Sequence, residues 1–543
     1  LELREWQSAL KDRVIAHLKE GFLVALQSPT GSGKTIFSLL VSLAVRGKVI
    51  YAVRTHNEFY PVYREAKRLG KRFSFLVGKS RACLFAEEGV DAEDIKCNLC
   101  ELSSPGKVKD EGDSPFRILE DLKRRGKEEG FCPYFTLLSS LEDTEVLGVT
   151  YPYLFSPWLR DALDLNLQEF AIVVDEAHNL DYLNDLAERR LSVSTIEFAM
   201  KQVKSDQARS ILVKLREEIK AVISNEERYI EVKGYPRLSE DELKLLTEEY
   251  EDLRKEMVKS KSIRKLYVGS VIKFYSSMDD EHVFSYKGAL IVKPLTSIPF
   301  VSVLNREDVP VILMSGTMYP RDYLEKVLGI KRKMFYLDVE RELRIKVTGG
   351  YDCFLAVDVT TSYSTRSAEM WKRYASHLLR IYHYARANVL AVFPSYTIME
   401  EVMKLIKVRK FVEGSKSVLD EVVSSSLEGK VIIAGVARGK LTEGIELTSS
   451  GSSLISDVAL CGIPYPSVDD YLRLRSEYIY KLTGESLRDA LVEIPAMVAV
   501  RQAIGRAVRS KEDRANVWLL DKRFDSAWWK VKINCLNPKK VRL

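Results

Sequence analysis

The sequence predicts an α/β chain built on two doubly wound parallel sheets, and three observations carry that prediction. Short apolar runs alternate with amphipathic helical stretches along most of the 543 residues, the pattern of strands that pair in parallel through helical crossovers. The runs are continuous rather than alternating, as in strands covered on both faces. The chain is also longer than one hydrophobic core usually supports, so two large domains with insertions are expected.

The first series of strand-like runs is FLVAL, KVIYAVRT, EVLGVT, FAIVVDEA and VPVILMSGT. After about residue 320 a second series begins: CFLAVDV, NVLAVFPS, KVIIAGVARG, DVALCGIPYP and ANVWLLD, with helical segments such as MWKRYASHLLRIYHYA between them. More than a hundred residues separate His178 from Ser315. Charged amphipathic patterns there, ARSILVKLREEIKAVI and SEDELKLLTEEYEDLRKEMVKS, predict a separate helical subdomain. A solvated protein-interaction arm would have the same composition.

Composition narrows the class. Hydrophobic content of 46% with 29% charged residues is ordinary for a globular protein. No run of about 18 apolar residues occurs, so no membrane span is expected, and the charged opening LELREWQSALKDR has no secretory h-region. Seven cysteines are too few and too clustered for a disulfide framework. A net charge of +6 permits nucleic-acid binding without indicating it. Six glutamines against 83 Lys+Arg and 77 Asp+Glu hint at a thermophilic source.

The strongest local signal is FLVALQSPTGSGKTIFSLLVSL. A strand, a small-residue loop and a helix follow one another, the context of a phosphate-binding loop. Thr30, Gly31, Ser32 and Gly33 let backbone N–H groups approach phosphate oxygens, and the helix N-terminus adds partial positive charge. Lys34 brings a point charge for the β- and γ-phosphates, and Thr35 a hydroxyl for Mg²⁺. A plain glycine-rich turn would not need the flanking strand and helix.

In FAIVVDEAHNL the carboxylates stand at the C-terminal end of a buried strand, where open α/β sheets bind ligands. Asp175 would hold Mg²⁺, and Glu176 would orient and deprotonate a water. Near the other end lies AVRQAIGRAVRS, with Gln502, Arg506 and Arg509 spaced i, i+4, i+7 and so expected on one helical face. Two guanidiniums on one stripe suit a transferring phosphoryl group. In isolation the segment would read as a basic solvated face.

Four cysteines are spaced Cys83-x13-Cys97-x2-Cys100-x31-Cys132, with Pro133 next. That spacing suits structural zinc or an iron–sulfur cluster. A zinc ribbon more often shows two C-x-x-C pairs, and a terminal Cys-Pro occurs in ferredoxin motifs. The intervening SSPGKVKDEGDSPFR is too polar to make its own core, which argues against unrelated buried thiols. Cys353, Cys461 and Cys535 read as ordinary packing residues. In KRFSFLVGKSR, Lys71, Arg72, Lys79 and Arg81 interleave with Phe73 and Phe75, a pattern that suits single-strand tracking or a strand with its phenylalanines inward.

SPTGSGKT, RTHNEF, DEAH, SGT, VFPSY, GKLTEGIEL and QAIGRAVR stand in the order of superfamily 2 helicase motifs. With four cysteines between the P-loop and DEAH, the chain resembles the archaeal XPD family (Rad3/DinG type) of iron–sulfur superfamily 2 DNA helicases over essentially its whole length. That resemblance implies two RecA-like domains, with an iron–sulfur cluster insertion and a helical arch insertion in the first. Residues 1–80, 138–185 and 283–320 would form the first helicase domain, 81–137 the cluster domain, 186–282 the arch and 321–543 the second helicase domain.

The resemblance further implies a 4Fe–4S cluster on Cys83, Cys97, Cys100 and Cys132, Mg²⁺ as cofactor and ATP as substrate. Lys34 and Thr35 match the ATP and Mg²⁺ contacts, Asp175 and Glu176 the hydrolytic carboxylates, and Arg506 and Arg509 the arginine fingers, with Gln502 beside them. His178 matches a position coupling nucleotide state to movement; Ser315 and Thr317 match the linker to strand displacement. Glu443 and Gly444 match a motif touching nucleotide and DNA, Gln7 an adenine-reading glutamine, and Arg54, Thr55 and Lys79 DNA contacts. The expected function is an ATP-dependent 5′-to-3′ helicase in DNA repair, nucleotide excision repair included. It would act as a monomer on single-stranded and forked DNA, with repair proteins as candidate partners, in the cytoplasm of a thermophilic archaeon. The rival readings are a translocase or RNA-directed ATPase without productive unwinding, and a redox-responsive DNA-binding switch.

Overall fold

The computed structural model describes residues 2–542 apart from 103, 109–113, 277–281, 415–418, 444–446 and 450–451. Strands β1 (Leu23–Gln27), β2 (Val49–Val53), β4 (Val146–Thr150) and β5 (Ala171–Val174) fall within or beside the apolar runs of the first series, whereas β3 (Phe73–Phe75) comes from the basic and aromatic KRFSFLVGKSR segment. Strands β6 (Arg189–Ser192), β7 (Ile230–Glu231), β8 (Val283–Tyr286) and β9 (Ala289–Val292) form a separate antiparallel sheet in the order β6-β9-β8-β7. The chain then returns through β10 (Val311–Ser315) and β11 (Met334–Asp338) to a parallel sheet ordered β11-β1-β10-β5-β2-β4-β3.

A second parallel sheet uses β12 (Gly350–Ala356), β13 (Asn388–Phe393), β14 (Lys410–Val412) and β15 (Ile432–Val436). After a small antiparallel pair, β16 (Thr448–Ser449) and β17 (Ser452–Ser453), it takes in β18 (Ile455–Leu460), β19 (Arg514–Leu519) and β20 (Lys539–Val541). Its order is β14-β15-β13-β18-β19-β12-β20. These are two RecA-like lobes. Helices cover both faces, so every residue of β1, β2, β4, β5 and β10 is buried, which is why those strands read as unbroken apolar runs.

Register decides where chemistry can collect. Gln27 lies opposite both Ser315 and Asp338, while Val174 lies opposite Leu313 and Ala52. The C-terminal ends of β1, β2, β5 and β10 are therefore nearly flush, and the segments that follow them leave from one edge.

Several expectations need correction. β11 pairs with β1 in register, so the first lobe extends to Asp338 rather than ending at 320. The β8–β9 hairpin belongs to the inserted sheet, which carries the insertion past 282 to Val292. The insertion is also not purely helical. Its helices Val193–Gln202, Asp206–Val222, Glu240–Lys259 and Tyr267–Tyr275 pack with that sheet around Leu212, Leu215, Ile219, Leu246 and Phe274. Ser205 caps the second helix, and Ser239 with Glu242 makes a capping box on the third.

The cysteine segment draws on two cores. Val90 and Ile95 join the core of the insertion, while Ile118, Leu119, Leu122 and Phe131 join that of the first lobe. Cys353 and Cys535 are not merely packing residues: they form a disulfide between β12 and the segment after the helix Ala527–Lys532, with Cα atoms 5.7 Å apart. Their separation of 182 residues hides the pairing from any local reading. Among the described residues, no helix is long and apolar enough to cross a membrane.

Candidate active site

The loop after β1 is shaped by glycines. Gly31 and Gly33 take φ of +78° and +87°, a region that penalises any Cβ. A Cβ on Gly31 would also stand 2.7 Å from the Arg509 carbonyl oxygen of the second lobe. Three successive loop carbonyls are held by the start of the chain: Arg4 donates to Gly31 O (2.7 Å), Trp6 Nε1 to Ser32 O (3.0 Å) and Gln7 Nε2 to Gly33 O (2.9 Å). The Ser32 N–H turns back to the Pro29 carbonyl at 3.2 Å, and the loop stands at the start of the helix Lys34–Arg46, an arrangement suited to an anion. Gln7 has its other end engaged too, since Oε1 accepts the Arg4 N–H at 2.8 Å. Its carboxamide braces the loop.

Lys34 is buried, and its Nζ donates to the Pro29 carbonyl at 2.9 Å. Burial lowers its pKa, while Glu176 and Asp175 pull the other way. The Tyr51 hydroxyl donates to Asp175 Oδ2 at 3.1 Å and is also hydrogen-bonded with Thr35. Thr35 and Asp175 thus converge on one phenol, offering a hydroxyl and a carboxylate, the hard oxygens that Mg²⁺ prefers.

Glu176 follows at φ +47°, ψ +47°, a strained conformation for a residue with a side chain. Its N–H donates to Asp175 Oδ1 (2.9 Å), and Tyr151 donates to the carbonyls of both residues, at 3.1 Å to Glu176. Burial beside Glu176 and Glu58 pushes the Asp175 carboxyl up. Burial raises that of Glu176 too, but His178 beside it, with the charges of Lys34 and Arg506, holds it down overall. Glu176 Oε2 has no hydrogen-bond partner among the described residues, although His178 Nδ1 stands 3.2 Å away.

His178 is the meeting point of the lobes. Nδ1 lies 2.9 Å from Ser315 Oγ and 3.1 Å from Gln502 Nε2, and Nε2 lies 3.1 Å from the Asn179 carboxamide. Gln502 Nε2 also donates to Thr317 Oγ1 at 2.6 Å, and the Thr317 N–H to Ser315 Oγ at 3.0 Å.

The arginines depart from the predicted helical stripe. The helix Arg488–Gly505 stops before them, with Arg506 as its C-cap. Asp513 Oδ2 accepts the N–H groups of Arg509 and Ser510, both at 2.7 Å, replacing helical carbonyls and turning the chain. Both arginines still line the same cleft of about 1160 Å³ as Lys34, Thr35, Glu176 and His178. The charge of Arg506 acts on Glu176 and that of Arg509 on Lys34. Glu443 ends the short helix Lys440–Glu443; its side chain and Gly444 lie outside the described residues.

Arg54 and Thr55 follow β2 at the same edge, exposed on the rim of the cleft. Lys79 lies elsewhere, at the start of the helix Lys79–Ala82, with Nζ 5.8 Å from the Tyr134 ring centroid. Phe73 and Phe75 pack inward against Tyr63 and Phe59, which leaves them unsuited to base stacking. Lys79 shares a second, smaller cavity with Cys83, Cys97, Cys100 and Cys132, walled by Phe85, Ile95 and Ile263 among others. Burial pushes the Cys97 and Cys132 thiols up, and Lys79 draws Cys97 back. Four thiols in one largely apolar cavity are a donor set for a sulfur-ligated metal centre, yet among the described residues no three donors are grouped as for one metal ion.

Residues 378–537 match the family described as Helicase C-terminal domain, and residues 78–196 match DEAD_2. Over the full length of both chains, this one is 48% identical to the ATP-dependent DNA helicase XPD of Sulfolobus acidocaldarius. The chain belongs to the XPD helicase family. A solved XPD helicase structure at 48% identity superposes with a TM-score of 0.95 and covers 100% of both chains. A second, of apo XPD, is 45% identical with a TM-score of 0.83 over 98% of this chain and 100% of its own.

The site of this XPD-family chain also uses residues that sequence reasoning did not single out. Tyr51 and Tyr151 sit inside apolar runs and read as core, and only the packing of β2, β4 and β5 aims the Tyr51 hydroxyl at the Asp175 carboxylate and the Tyr151 hydroxyl at the carbonyls of Asp175 and Glu176. Asn179 follows DEAH directly, and its adjacency to His178 was a usable signal. Asp513 left no local signal, because its partners are backbone amides.

Proposed function

We propose that this XPD-family chain hydrolyses ATP in the interlobe cleft and uses the cycle to move 5′ to 3′ along single-stranded DNA, separating forked duplexes during DNA repair. The supporting observation is convergence: the P-loop lysine, the two carboxylates and both arginines come from distant parts of the chain and line one cleft. Family likeness supports the polarity, the action on DNA, repair-protein partners, a monomeric state and a cytoplasmic setting.

Each residue has a role that its surroundings suit. Lys34 pairs with the β- and γ-phosphates while the loop amides bind phosphate oxygens. The uncommitted Oε2 of Glu176 takes the proton of the attacking water. Arg506 and Arg509 neutralise charge that develops on the transferring group, so hydrolysis requires the lobes to be closed. Gln502, hydrogen-bonded to both His178 and Thr317, carries the state of that site into the second lobe. Thr35 and Asp175 would hold Mg²⁺, which supplies charge neutralisation at the phosphates. Cys83, Cys97, Cys100 and Cys132 would hold a 4Fe–4S cluster, which supplies a covalent staple for a segment divided between two cores.

Forked DNA with either a 5′ or a 3′ tail tests the reading on anaerobically purified protein, with iron and sulfide quantified in the same sample. Unwinding of the 5′-tailed fork alone, dependent on ATP and lost in Lys34→Ala, is the expected result. ATPase stimulated by RNA but not by DNA would overturn it.

A further inference from the structure

The turn at residues 54–58 contains a carboxylate that the hydrolytic scheme does not use. Glu58 ends the short 3-10 helix His56–Glu58 directly after β2. Its Oε2 accepts the Arg54 N–H at 2.9 Å and its Oε1 accepts the Thr55 hydroxyl at 2.9 Å; its own N–H donates to the Thr55 carbonyl at 3.1 Å. Glu58 is half-buried, whereas Arg54 and Thr55 face outward.

On its other side the same turn adjoins the hydrolytic pair. The Asp175 N–H donates to the carbonyl of Ala52 in β2 at 2.9 Å, so the backbone that seats Asp175 runs straight into residues 54–58. Tyr151, buried, bonds the carbonyls of Asp175 and Glu176. Glu58 is the charge that weighs most on this phenol, and it also acts on Asp175. It therefore holds the exposed turn by hydrogen bonds and faces the carboxylates through Tyr151.

We propose that Glu58 is a positioning residue that links strand contact at Arg54 and Thr55 to the seating of Asp175 and Glu176, and so transmits DNA stimulation to hydrolysis. The inference rests on the reading, given under Proposed function, that this chain's ATPase serves DNA translocation, and on Arg54 and Thr55 facing the strand. The Thr55 hydroxyl has one proton to donate. A DNA phosphate that accepts it takes it from Glu58, leaving a bare carboxylate oxygen near two other carboxylates, which like-charge repulsion disfavours. The freed oxygen becomes an alternative acceptor for Tyr151, which shifts the carbonyls beneath Asp175 and Glu176.

The readout is the ratio of ATP turnover with saturating oligo-dT to turnover without it, together with oligo-dT affinity by fluorescence anisotropy. Glu58→Ala is expected to lower the ratio roughly ten-fold, within the range that small misplacements of reacting groups cost. Glu58→Gln keeps an acceptor for Thr55 but not the charge, and should retain an intermediate ratio. Thr55→Val should lower the ratio too, with no further loss when combined with Glu58→Ala, because both remove one link. A Glu58→Ala ratio equal to wild type, including the case where both rates fall together as a structural defect would make them, overturns the proposal. So do independent, multiplying effects of the two substitutions. Unchanged oligo-dT affinity in Arg54→Ala combined with Thr55→Val would instead show that this turn does not meet the strand, which removes the premise and the proposal with it.

Discussion

At the scale of single residues, adjacent carboxylates are given different tasks by their surroundings. Asp175 has hydrogen bonds from Tyr51 and from the Glu176 N–H, and it stands beside Thr35. Glu176 has an uncommitted oxygen aimed at His178. Glu176→Gln should therefore bind ATP with near-normal affinity yet hydrolyse it about 10²–10⁴-fold more slowly, the range for loss of a positioned base. Asp175→Asn should instead weaken Mg²⁺-dependent nucleotide binding. Equilibrium binding of a fluorescent ATP analogue with and without Mg²⁺, beside single-turnover hydrolysis, separates the two; identical defects would refute the division of labour. Lys34→Ala should remove hydrolysis while the fold persists, checked by turnover and circular dichroism, because the Lys34–Arg46 helix retains its buried face.

At the scale of elements, the cysteine segment is the informative case. Its described parts dock on the insertion through a parallel bridge between Ala86 and Ile263 and through Asp94, which accepts from Tyr250 (2.9 Å) and the Leu266 N–H (3.0 Å). The ion pair Lys96–Glu251 lies on the same face. The P-loop, DEAH and both arginines lie outside this segment. Cys132→Ser should accordingly lose iron and its brown colour, keep measurable DNA-stimulated ATPase, and lose strand separation. Full unwinding by an iron-free variant would show that the segment takes no part in separating strands.

At the scale of the whole molecule, contacts distant in sequence set how the lobes sit. Arg475, in the second-lobe helix Asp470–Thr483, pairs with Asp181 just beyond DEAH, and Tyr323 donates to the same carboxylate at 2.9 Å. Both charges are buried. Asp181→Asn should leave the guanidinium without its counter-ion and cost about 3–5 kcal/mol, seen as a lower denaturation midpoint for the lobe interface. Reducing the Cys353–Cys535 disulfide reopens a 182-residue loop, and loop entropy alone assigns such a closure about 5 kcal/mol. A reductant such as dithiothreitol should then lower the unfolding temperature of the wild type but not of Cys353→Ala. Equal shifts in both proteins would mean that the bridge contributes nothing to stability.

The sequence by itself determined whatever depends on neighbours along the chain. Continuous apolar runs marked the buried strands, because a strand covered on both faces has no polar positions to alternate. The phosphate loop was legible because glycines at positive φ must lie between a strand and a helix. The four cysteines and the DEAH carboxylates were legible as residue types with few other uses at that spacing. What only the tertiary structure decided were facts about partners far apart in the chain. β11 reads like any strand until it pairs with β1, and the insertion's sheet forms from strands split by helices. Tyr51 and Tyr151 became site residues only once three strands lay side by side, because burial hides a phenol's direction from any reading of hydrophobicity alone.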